Sequence, residues 1–345
     1  MTDGEIIHIG CYTPEGGGRG GGIVAARRDP ESGRLDLLGL AACTPSPSFL
    51  VRHPTLPVLY AVNEIEDGAV GAWTVTGEGE LIPLGSRPTG GSHPCHVTVS
   101  PDGRHVISTN YGSGSLATHP IDDTGALGEC SDLLAHEGHG VDPERQERPH
   151  PHMISPDPSG GSLLAVDLGT DSVYRYDLDG TAGRLVPYGA RMWHRPGAGP
   201  RHLARHPDGA HCYLVGELDA TLTWCEIDEA GVLHERGSIP ASARAGHVQP
   251  SEVAVRADGR FLYVANRGPD TIAVFALDAG APRYVGEVES GGRWPRHFAL
   301  VGGHLYVANE RSHSVGVFRI DDERGMPTAL GAPVDTPSPT CIMPA

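Results

Sequence analysis

Short runs of apolar residues alternate with polar turns along nearly the whole chain, and the runs come in pairs. In "FLYVANRGPDTIAVFALD" at 261–278 and "HLYVANERSHSVGVFRID" at 304–321, an apolar run, a turn and a second apolar run ending near an acidic residue follow one another. Runs of this length bounded by Gly, Asn and Asp are typical of β-strands joined by tight turns. Because the sequence shows no sustained period near 3.6, the pattern predicts an all-β protein.

A shorter frame precedes each pair of runs. "PRHLARHPDG" at 200–209 places a proline, one variable residue and an apolar strand before a turn. Related copies are "PCHVTVSPDG" at 94–103, "PHMISPDPSG" at 151–160, "PSEVAVRADG" at 250–259 and "PRHFALVGGH" at 295–304. Repeats of this size with three or four short strands predict a β-propeller, in which each repeat forms one blade.

Six copies of the repeat are visible, and the seventh is divided between the two ends of the chain. "IIHIGC" at 6–11 begins its second strand, and "PSPTCIMP" at 337–344 resembles the first strand "PSPSFLV" at 45–51. Joining the two ends would remove the unpaired strand edges of an open ring. The sequence therefore predicts one domain over residues 1–345, a seven-bladed propeller of four-stranded antiparallel blades closed by strands from both termini. The fourth strands are the least regular, and 129–149 is expected to be a loop that crosses one face of the disk.

Composition narrows the possible partners. The 48 glycines and 30 prolines lie between the apolar runs, as many tight turns require. With 26 Lys and Arg against 43 Asp and Glu, the net charge of −17 disfavours nucleic acid and anionic membranes. The sequence shows neither a signal-peptide pattern nor a long apolar stretch, and its seven cysteines include no C-x-x-C. We therefore expect a cytoplasmic protein without membrane contact, as a monomer or small homo-oligomer.

Blade geometry sorts the variable residues into two rings. The first strand of a propeller blade lies nearest the axis, and the Pro-Asp-Gly turns join first and second strands on one face. The residue after the leading proline and the residue leaving the second strand should then meet on the opposite face, around the channel. The first-strand ring consists of Ser48, Cys95, His152, Arg201, Ser251, Arg296 and Thr340. The second-strand ring consists of Cys11, Glu64, Tyr111, Leu168, Glu217, Arg267 and Glu310.

The residue types in these rings suggest acid–base chemistry on an anionic molecule. Arginine suits a carboxylate or phosphate and can stabilise an oxyanion, whereas histidine or glutamate can take a proton from water. Such residues also form ion-pair rings without a catalytic role. Because acid, base and cationic types converge from different blades, we expect a functional site. His96, His202 and His297 follow the ring positions and are expected to pack between blades.

Three other motifs do not match the known sites that they resemble. His136, His139, His150 and His152 do not form an H-E-x-x-H helix, so no metal is expected. The glycine-rich "GGGRGGG" at 16–22 lacks the Lys-Ser/Thr ending of a phosphate-binding loop. No G-x-S-x-G turn supports a serine nucleophile.

Longer stretches of the sequence are similar to a known family, the bacterial lactonases with a seven-bladed propeller, of the 6-phosphogluconolactonase type and related to the fungal 3-carboxy-cis,cis-muconate cyclase. The similarity covers nearly the whole chain. It is carried by "RPHPHMISPDPSGGSLLAVDLGTDSVYRYDLD" at 148–179, by "GPRHLARHPDG" with "VGELDATL" downstream, and by "QPSEVAVRADGRFLYVANRGPDTIAVF" at 249–275.

The resemblance implies a catalytic histidine, glutamate and two arginines at the channel mouth. They fall on His152, Glu217, Arg201 and Arg267. Either His152 or Glu217 is expected to activate water, one of the two arginines to stabilise the oxyanion, and the other, together with Arg296, to hold the phosphate. The expected substrate-binding residues are Arg296, His150, Glu64 and Glu310. His150 and His152 both lie in "PHPH", so either is a candidate for the catalytic histidine. The implied reaction is hydrolysis of a small anionic sugar lactone, 6-phosphoglucono-1,5-lactone, without metal or organic cofactor. The alternatives are cyclisation of a muconate-type diacid and a propeller that binds partners without chemistry.

Overall fold

The predicted seven-bladed propeller is the fold of the chain. A computed structural model describes residues 4–158, 160, 162–189, 191–278 and 280–344. These residues form seven antiparallel sheets arranged as blades. Their secondary structure consists of strands and two short 3-10 turns at Pro14–Gly16 and Glu310–Ser312, and no helix among them is long and apolar enough to cross a membrane.

The strands follow one another blade by blade. In chain order they are β1 (Glu5–Cys11), β2 (Gly22–Arg28) and β3 (Leu35–Cys43) in blade 1; β4 (Leu50–Arg52), β5 (Val58–Asn63), β6 (Ala69–Val75) and β7 (Leu81–Pro88) in blade 2; β8 (Pro94–Val99), β9 (His105–Asn110), β10 (Ser115–Pro120) and β11 (Asp132–Ala135) in blade 3; β12 (Pro151–Pro156), β13 (Leu163–Asp167), β14 (Ser172–Asp179), β15 (Arg184–Pro187) and β16 (Met192–Trp193) in blade 4. They continue as β17 (Pro200–Arg205), β18 (His211–Gly216), β19 (Thr221–Ile227) and β20 (Leu233–Pro240) in blade 5; β21 (Gln249–Val255), β22 (Phe261–Arg267), β23 (Thr271–Asp278) and β24 (Ala281–Glu289) in blade 6; β25 (Pro295–Val301), β26 (His304–Asn309), β27 (Ser314–Ile320), β28 (Pro327–Ala329) and β29 (Val334–Asp335) in blade 7; and β30 (Pro339–Pro344), which completes blade 1.

The ring closes as predicted. The C-terminal strand β30 pairs antiparallel with β1, placing Ile342 opposite Ile9 and Met343 opposite His8. The first strands of all seven blades contact one another in cyclic order, β30 lying between β25 and β4. The fourth strand is broken in blade 4, where β15 and β16 both pair with β14, and in blade 7, where β28 and β29 both pair with β27.

The core of the protein lies between the blades. Second strands such as β5, β9 and β26 are buried along their whole length because neighbouring blades cover both of their faces. Four buried tyrosines on second strands donate a hydrogen bond to a glycine carbonyl of the next blade. The pairs are Tyr60 with Gly125, Tyr213 with Gly280, Tyr263 with Gly325, and Tyr306 with Gly33. Each bond satisfies a buried hydroxyl and contributes about 1 kcal/mol to holding adjacent blades together.

A β-bulge at the start of the first strands explains why the sequence frame is constant around a variable residue. In blade 5, Pro200 is opposite Gly216 and His202 is opposite Val215, so Arg201 has no partner in the ladder. The same register shift leaves out Cys95, His152, Arg296 and Thr340, and in blade 6 it leaves out Ser251 and Glu252. A bulge re-aims the unpaired side chain, and here it turns the first-strand ring toward the axis.

Candidate active site

Three arginines converge on one buried carboxylate at the channel mouth. Glu217 follows β18, and its Oε2 lies 2.7 Å from Nη2 of Arg267 and 3.1 Å from Nε of Arg201. Its other oxygen, Oε1, accepts a hydrogen bond of 2.6 Å from Nη2 of Arg145. Arg201, Glu217 and Arg267 are each at most 5 % exposed. The sequence prediction that residues from blades 5 and 6 share one site is consistent with this arrangement.

Sequence reasoning missed Arg145. It lies between β11 and β12, in the second part of the segment 129–149 predicted to be a loop; the first part of that segment instead forms β11, the fourth strand of blade 3. Arg145 has no equivalent in the repeats that could have marked it. Its neighbour Gln146 is fully buried and fixes the loop: Nε2 donates to the Leu168 carbonyl at 2.8 Å and to Asp171 at 2.7 Å. The Gln146 amide oxygen accepts the backbone N–H groups of Val141 and Asp142. The Gln146 hydrogen bonds therefore fix the loop that brings the Arg145 guanidinium to Glu217.

The charges in this half of the site do not balance. Burial by itself would raise the pKa of Glu217, but Arg267, Arg201 and Arg145 together hold it well below the ordinary range. Burial, with the charge of Arg267, lowers the pKa of Arg201 to about 10, so its guanidinium remains protonated at neutral pH. Three positive groups and one negative group leave an excess positive charge, which favours an anionic ligand.

His152 is the histidine at the bulge of β12, and it lies against this cluster. Burial, together with the charge of Arg201, lowers its pKa well below 6.5, so the ring is neutral at pH 7. Its Nδ1 is buried and has no hydrogen-bond partner among the described residues. A neutral imidazole next to several guanidinium groups can accept a proton from water.

His150 occupies a different position. Its Nδ1 is 2.8 Å from the Tyr111 carbonyl and its Nε2 is 3.2 Å from Glu147. The ring also stacks on Tyr111, with centroids 4.4 Å apart. Because both ring nitrogens are engaged, His150 supports Tyr111, and the geometry favours His152 as the proton acceptor.

The opposite half of the ring carries two carboxylates and one arginine. Nη2 of Arg296 is 3.6 Å from Glu64, and its Nη1 is 3.7 Å from Glu310. The Arg296 guanidinium also lies 5.0 Å from the centroid of the Tyr12 ring. Burial raises the pKa of Tyr12 well above 10, so its hydroxyl stays protonated. Because blades 2 and 7 are separated by blade 1, these contacts reach across the channel mouth.

The expectation for His96, His202 and His297, that they pack between blades, is incomplete. They lie around the channel, where each hydrogen-bonds to the next blade and where their rings also meet residues of blades that are not neighbours. The centroid of His202, in blade 5, is 6.1 Å from that of Phe49 in blade 2, and the first strands of these blades are not neighbours. The bulge that turns the ring residue inward also changes the direction of the residue after it. Alternation along an ideal strand could not show this shift.

A group of side chains with the spacing for a metal ion lies on the opposite face, at the turn that joins β17 to β18. His206, Asp208 and His211 bring their ligand atoms within 4.8 Å of one another. The His206 Nε2 lies 3.0 Å from the Gly259 carbonyl, and its Nδ1 accepts the backbone N–H of Asp208. These bonds use both nitrogens of His206 and assign it to the stabilisation of the turn.

Residues 6–344 match the sequence model of the family described as "Lactonase, 7-bladed beta-propeller". The chain belongs to this lactonase family. It is 35 % identical over 346 residues to a 6-phosphogluconolactonase of Bacillus subtilis, covering 98 % of this chain and 97 % of the relative. Family membership makes the protein a lactonase, a hydrolase of cyclic carboxylic esters.

Solved structures of lactonase-family proteins have the same fold. A putative 6-phosphogluconolactonase of Bacteroides fragilis superimposes with a TM-score of 0.93 at 29 % identity, over 100 % of this chain and 98 % of that chain. The periplasmic gluconolactonase of Pseudomonas aeruginosa gives a TM-score of 0.93 at 30 % identity, over 99 % of both chains. The ring of blades is therefore common to proteins named for phosphorylated and for unphosphorylated sugar lactones.

Proposed function

We propose that this lactonase hydrolyses 6-phosphoglucono-1,5-lactone to 6-phosphogluconate. The observation that carries the proposal is the excess of three arginines over one carboxylate around Glu217. An uncharged sugar lactone would leave this charge uncompensated, whereas a phosphate brings two negative charges and three acceptor oxygens. The names of relatives at 35 % and 27 % identity, both 6-phosphogluconolactonases, support the same substrate.

In the proposed mechanism, His152 is the general base. It removes a proton from water as the water oxygen attacks the lactone carbonyl. Glu217 is a much weaker base because its pKa is held far below neutrality, so its proposed role is to orient the guanidinium groups of Arg201 and Arg267. One of these two arginines stabilises the oxyanion of the tetrahedral intermediate.

The substrate is held at its two ends by different groups. Arg145 is 33 % exposed at the mouth and is proposed to bind the phosphate together with the arginine that does not face the oxyanion. Arg296 is shared between Glu64 and Glu310, so it supplies little net charge. The two carboxylates are suited to accept hydrogen bonds from sugar hydroxyls, and Tyr12 adds a donor beside them.

The proposed function is tested by direct hydrolysis with the purified protein. Proton release is followed for the phosphorylated lactone, for glucono-1,5-lactone and for a carboxymuconate-type diacid lactone. We expect the highest kcat/KM on the phosphorylated lactone. Equal rates on the two sugar lactones would contradict the phosphate assignment, and turnover of only the diacid lactone would favour the cyclase alternative.

The cytoplasm is the proposed location. Cys43 and Cys130 are exposed free thiols, and the five other cysteines are also unpaired. Exposed free thiols persist in a reducing compartment and tend to be oxidised outside it. Fractionation of the native host with an antibody against the protein would test this proposal, and recovery from the periplasm or culture medium would contradict it.

A further inference from the structure

A layer of polar side chains fills the channel directly behind the candidate active site. His96, His202, Glu252 and His297 are each less than 10 % exposed, and Phe49 packs among the three rings. The proposed mechanism uses none of them. Burying a carboxylate and three imidazoles costs free energy unless each has a hydrogen-bond partner. The hydrogen bonds of these groups therefore indicate where the protons lie.

Two of the three histidines have the same hydrogen-bond arrangement. The Nδ1 of His96 accepts the backbone N–H of Ile154 at 3.5 Å, and the Nδ1 of His297 accepts the backbone N–H of Ile342 at 3.2 Å. In each case a neighbouring first strand supplies the donor. A nitrogen that accepts carries no proton in the neutral ring, so both histidines hold their proton on Nε2.

His202 occupies the equivalent position in blade 5 but has the opposite arrangement. Its Nδ1 lies 3.0 Å from Oε2 of Glu252. Its Nε2 is buried and has no partner among the described residues. A proton on Nε2 would be a buried donor without an acceptor, which is costlier than a buried lone pair. The proton therefore lies on Nδ1 and is donated to Glu252, and Nε2 presents a lone pair.

The His152 ring lies next to the lone pair of His202. The centroid of the His152 ring is 5.1 Å from that of His202, with the ring planes at 68°. The Nδ1 of His152 is the other ring nitrogen of this pair that is buried and finds no partner in the part of the chain that the structure describes. If His152 carries its proton on Nδ1 and donates it to the lone pair of His202, both nitrogens are satisfied.

We propose that His202 and Glu252 are positioning residues that hold the proton of His152 on Nδ1, leaving its Nε2 as the base that faces the substrate. The inference rests on the proposed role of His152. During hydrolysis, the proton of the attacking water moves to Nε2 of His152 as the new C–O bond forms. The same proton then passes to the ring oxygen as the C–O bond of the lactone breaks. The transient imidazolium donates through Nδ1 to His202, whose own N–H faces Glu252.

The electrostatic surroundings fit this arrangement. The groups facing His152 are Arg201, Arg296, His202 and Tyr111. Those facing Glu252 are His202, His297 and Arg201. Burial raises the pKa of Glu252, whereas the neighbouring His297 and Arg201 lower it. In its ionised form, Glu252 offsets the positive charge that forms on His152.

The first experiment determines which ring nitrogen of His152 carries the proton in the protein without substrate. Protein labelled with 15N-histidine is examined by long-range 1H–15N NMR, and the His152 signals are identified from those lost in His152→Gln. We expect the proton on Nδ1 in the native protein. In His202→Phe, which keeps a ring but removes the acceptor, we expect the proton to move to Nε2. A native His152 protonated on Nε2 would overturn the proposal.

Kinetics supply the second measurement. His202→Phe is expected to lower kcat at least tenfold with KM changed less than twofold, because His202 does not touch the substrate. Glu252→Gln keeps an acceptor for His202 but loses the charge, so a smaller fall in kcat is expected. His96→Phe is the matched control, with the same substitution in the same layer, and should keep kcat within twofold.

The outcomes separate this inference from the proposed function. If His202→Phe and His96→Phe have the same kcat and the His152 tautomer does not change, the positioning role is wrong even though hydrolysis proceeds. If the native protein hydrolyses no lactone, the proposed function fails, and the tautomer measurement still decides the hydrogen-bond arrangement. Thermal unfolding of each variant shows that the compared proteins are folded.

Discussion

Arg267 and Glu217, fifty residues apart in the sequence, form a buried ion pair in which Nη2 lies 2.7 Å from Oε2. The same oxygen lies 3.1 Å from Nε of Arg201, so one carboxylate oxygen faces two guanidinium groups from different blades. Removing charges from water costs free energy that a single ion pair rarely recovers. We therefore interpret the cluster of Glu217 with Arg201 and Arg267 as a binding site for an anionic ligand rather than as a source of stability.

Glu217→Gln should destabilise the protein and make it responsive to anions. Three guanidinium groups would remain without their shared carboxylate, and breaking a buried ion pair costs about 3–5 kcal/mol. We expect a lower midpoint in urea and a larger rise of Tm on addition of sulfate than the native protein shows, because sulfate can replace the missing charge. Equal sulfate shifts in the two proteins would argue against an anion site here.

The contribution of Glu217 to the free energy of unfolding should decrease as the pH falls. Its pKa in the folded protein is held below the ordinary 4.5 by the arginines, despite burial. The unfolded chain thus takes up the proton first, and the contribution is complete above about pH 4.5 and is lost as the pH falls below it. Urea unfolding of the native protein and of Glu217→Gln should give free energies whose difference shrinks steadily as the pH falls from 5 to 3. A constant difference over this range would contradict the expectation.

Arg145→Ala should weaken binding of the phosphorylated lactone without affecting the fold. Its side chain is 33 % exposed, and Gln146 holds the loop independently. We expect KM for 6-phosphoglucono-1,5-lactone to rise at least tenfold, with little change for glucono-1,5-lactone. Arg148→Ala is the matched control, since Arg148 is an exposed arginine of the same loop that pairs with Glu147. A similar rise of KM in both variants would indicate a general charge effect.

The rate of hydrolysis should remain high below the usual pKa of histidine. Burial lowers the pKa of His152 well below 6.5, and a base acts in its unprotonated form. The rate should therefore fall only as the pH drops through this lowered pKa, so kcat/KM is expected to be level from pH 7.5 to below pH 6.5. A pH–rate profile corrected for spontaneous hydrolysis measures this, and a midpoint at or above 6.5 would exclude His152 as the base.

Ring closure should be essential for folding. A chain that ends at Asp335 lacks β30, which pairs with β1 and contributes Cys341 and Ile342 to the core. The second strand of blade 1 would be left with an open edge facing the channel, so we expect aggregation or loss of cooperative unfolding. Ile342→Val keeps the strand and should cost only about 1 kcal/mol. A cooperatively folded truncated protein would contradict this role.

Several features of the site could not be predicted from the repeats. Arg145 lies in a connection that occurs in one blade, so comparison between blades gives no signal for it. The channel positions of His96, His202 and His297 depend on a bulge of one residue, which a pattern of alternating side chains does not reveal. His150 is engaged with Tyr111 and Glu147, whereas no described residue bonds to Nδ1 of His152, and this difference is likewise a property of the folded ring.

The sequence by itself determined the seven repeats, the closure by both termini and the two sets of variable residues, because repeated apolar strands and turns are local features of the chain. Only the tertiary structure decided which of those residues meet and in what protonation state. Glu217 is held by arginines from 50 and 72 positions away, and His152 is neutral because its surroundings exclude water. Such effects depend on distances across the channel, which are set when the ring closes.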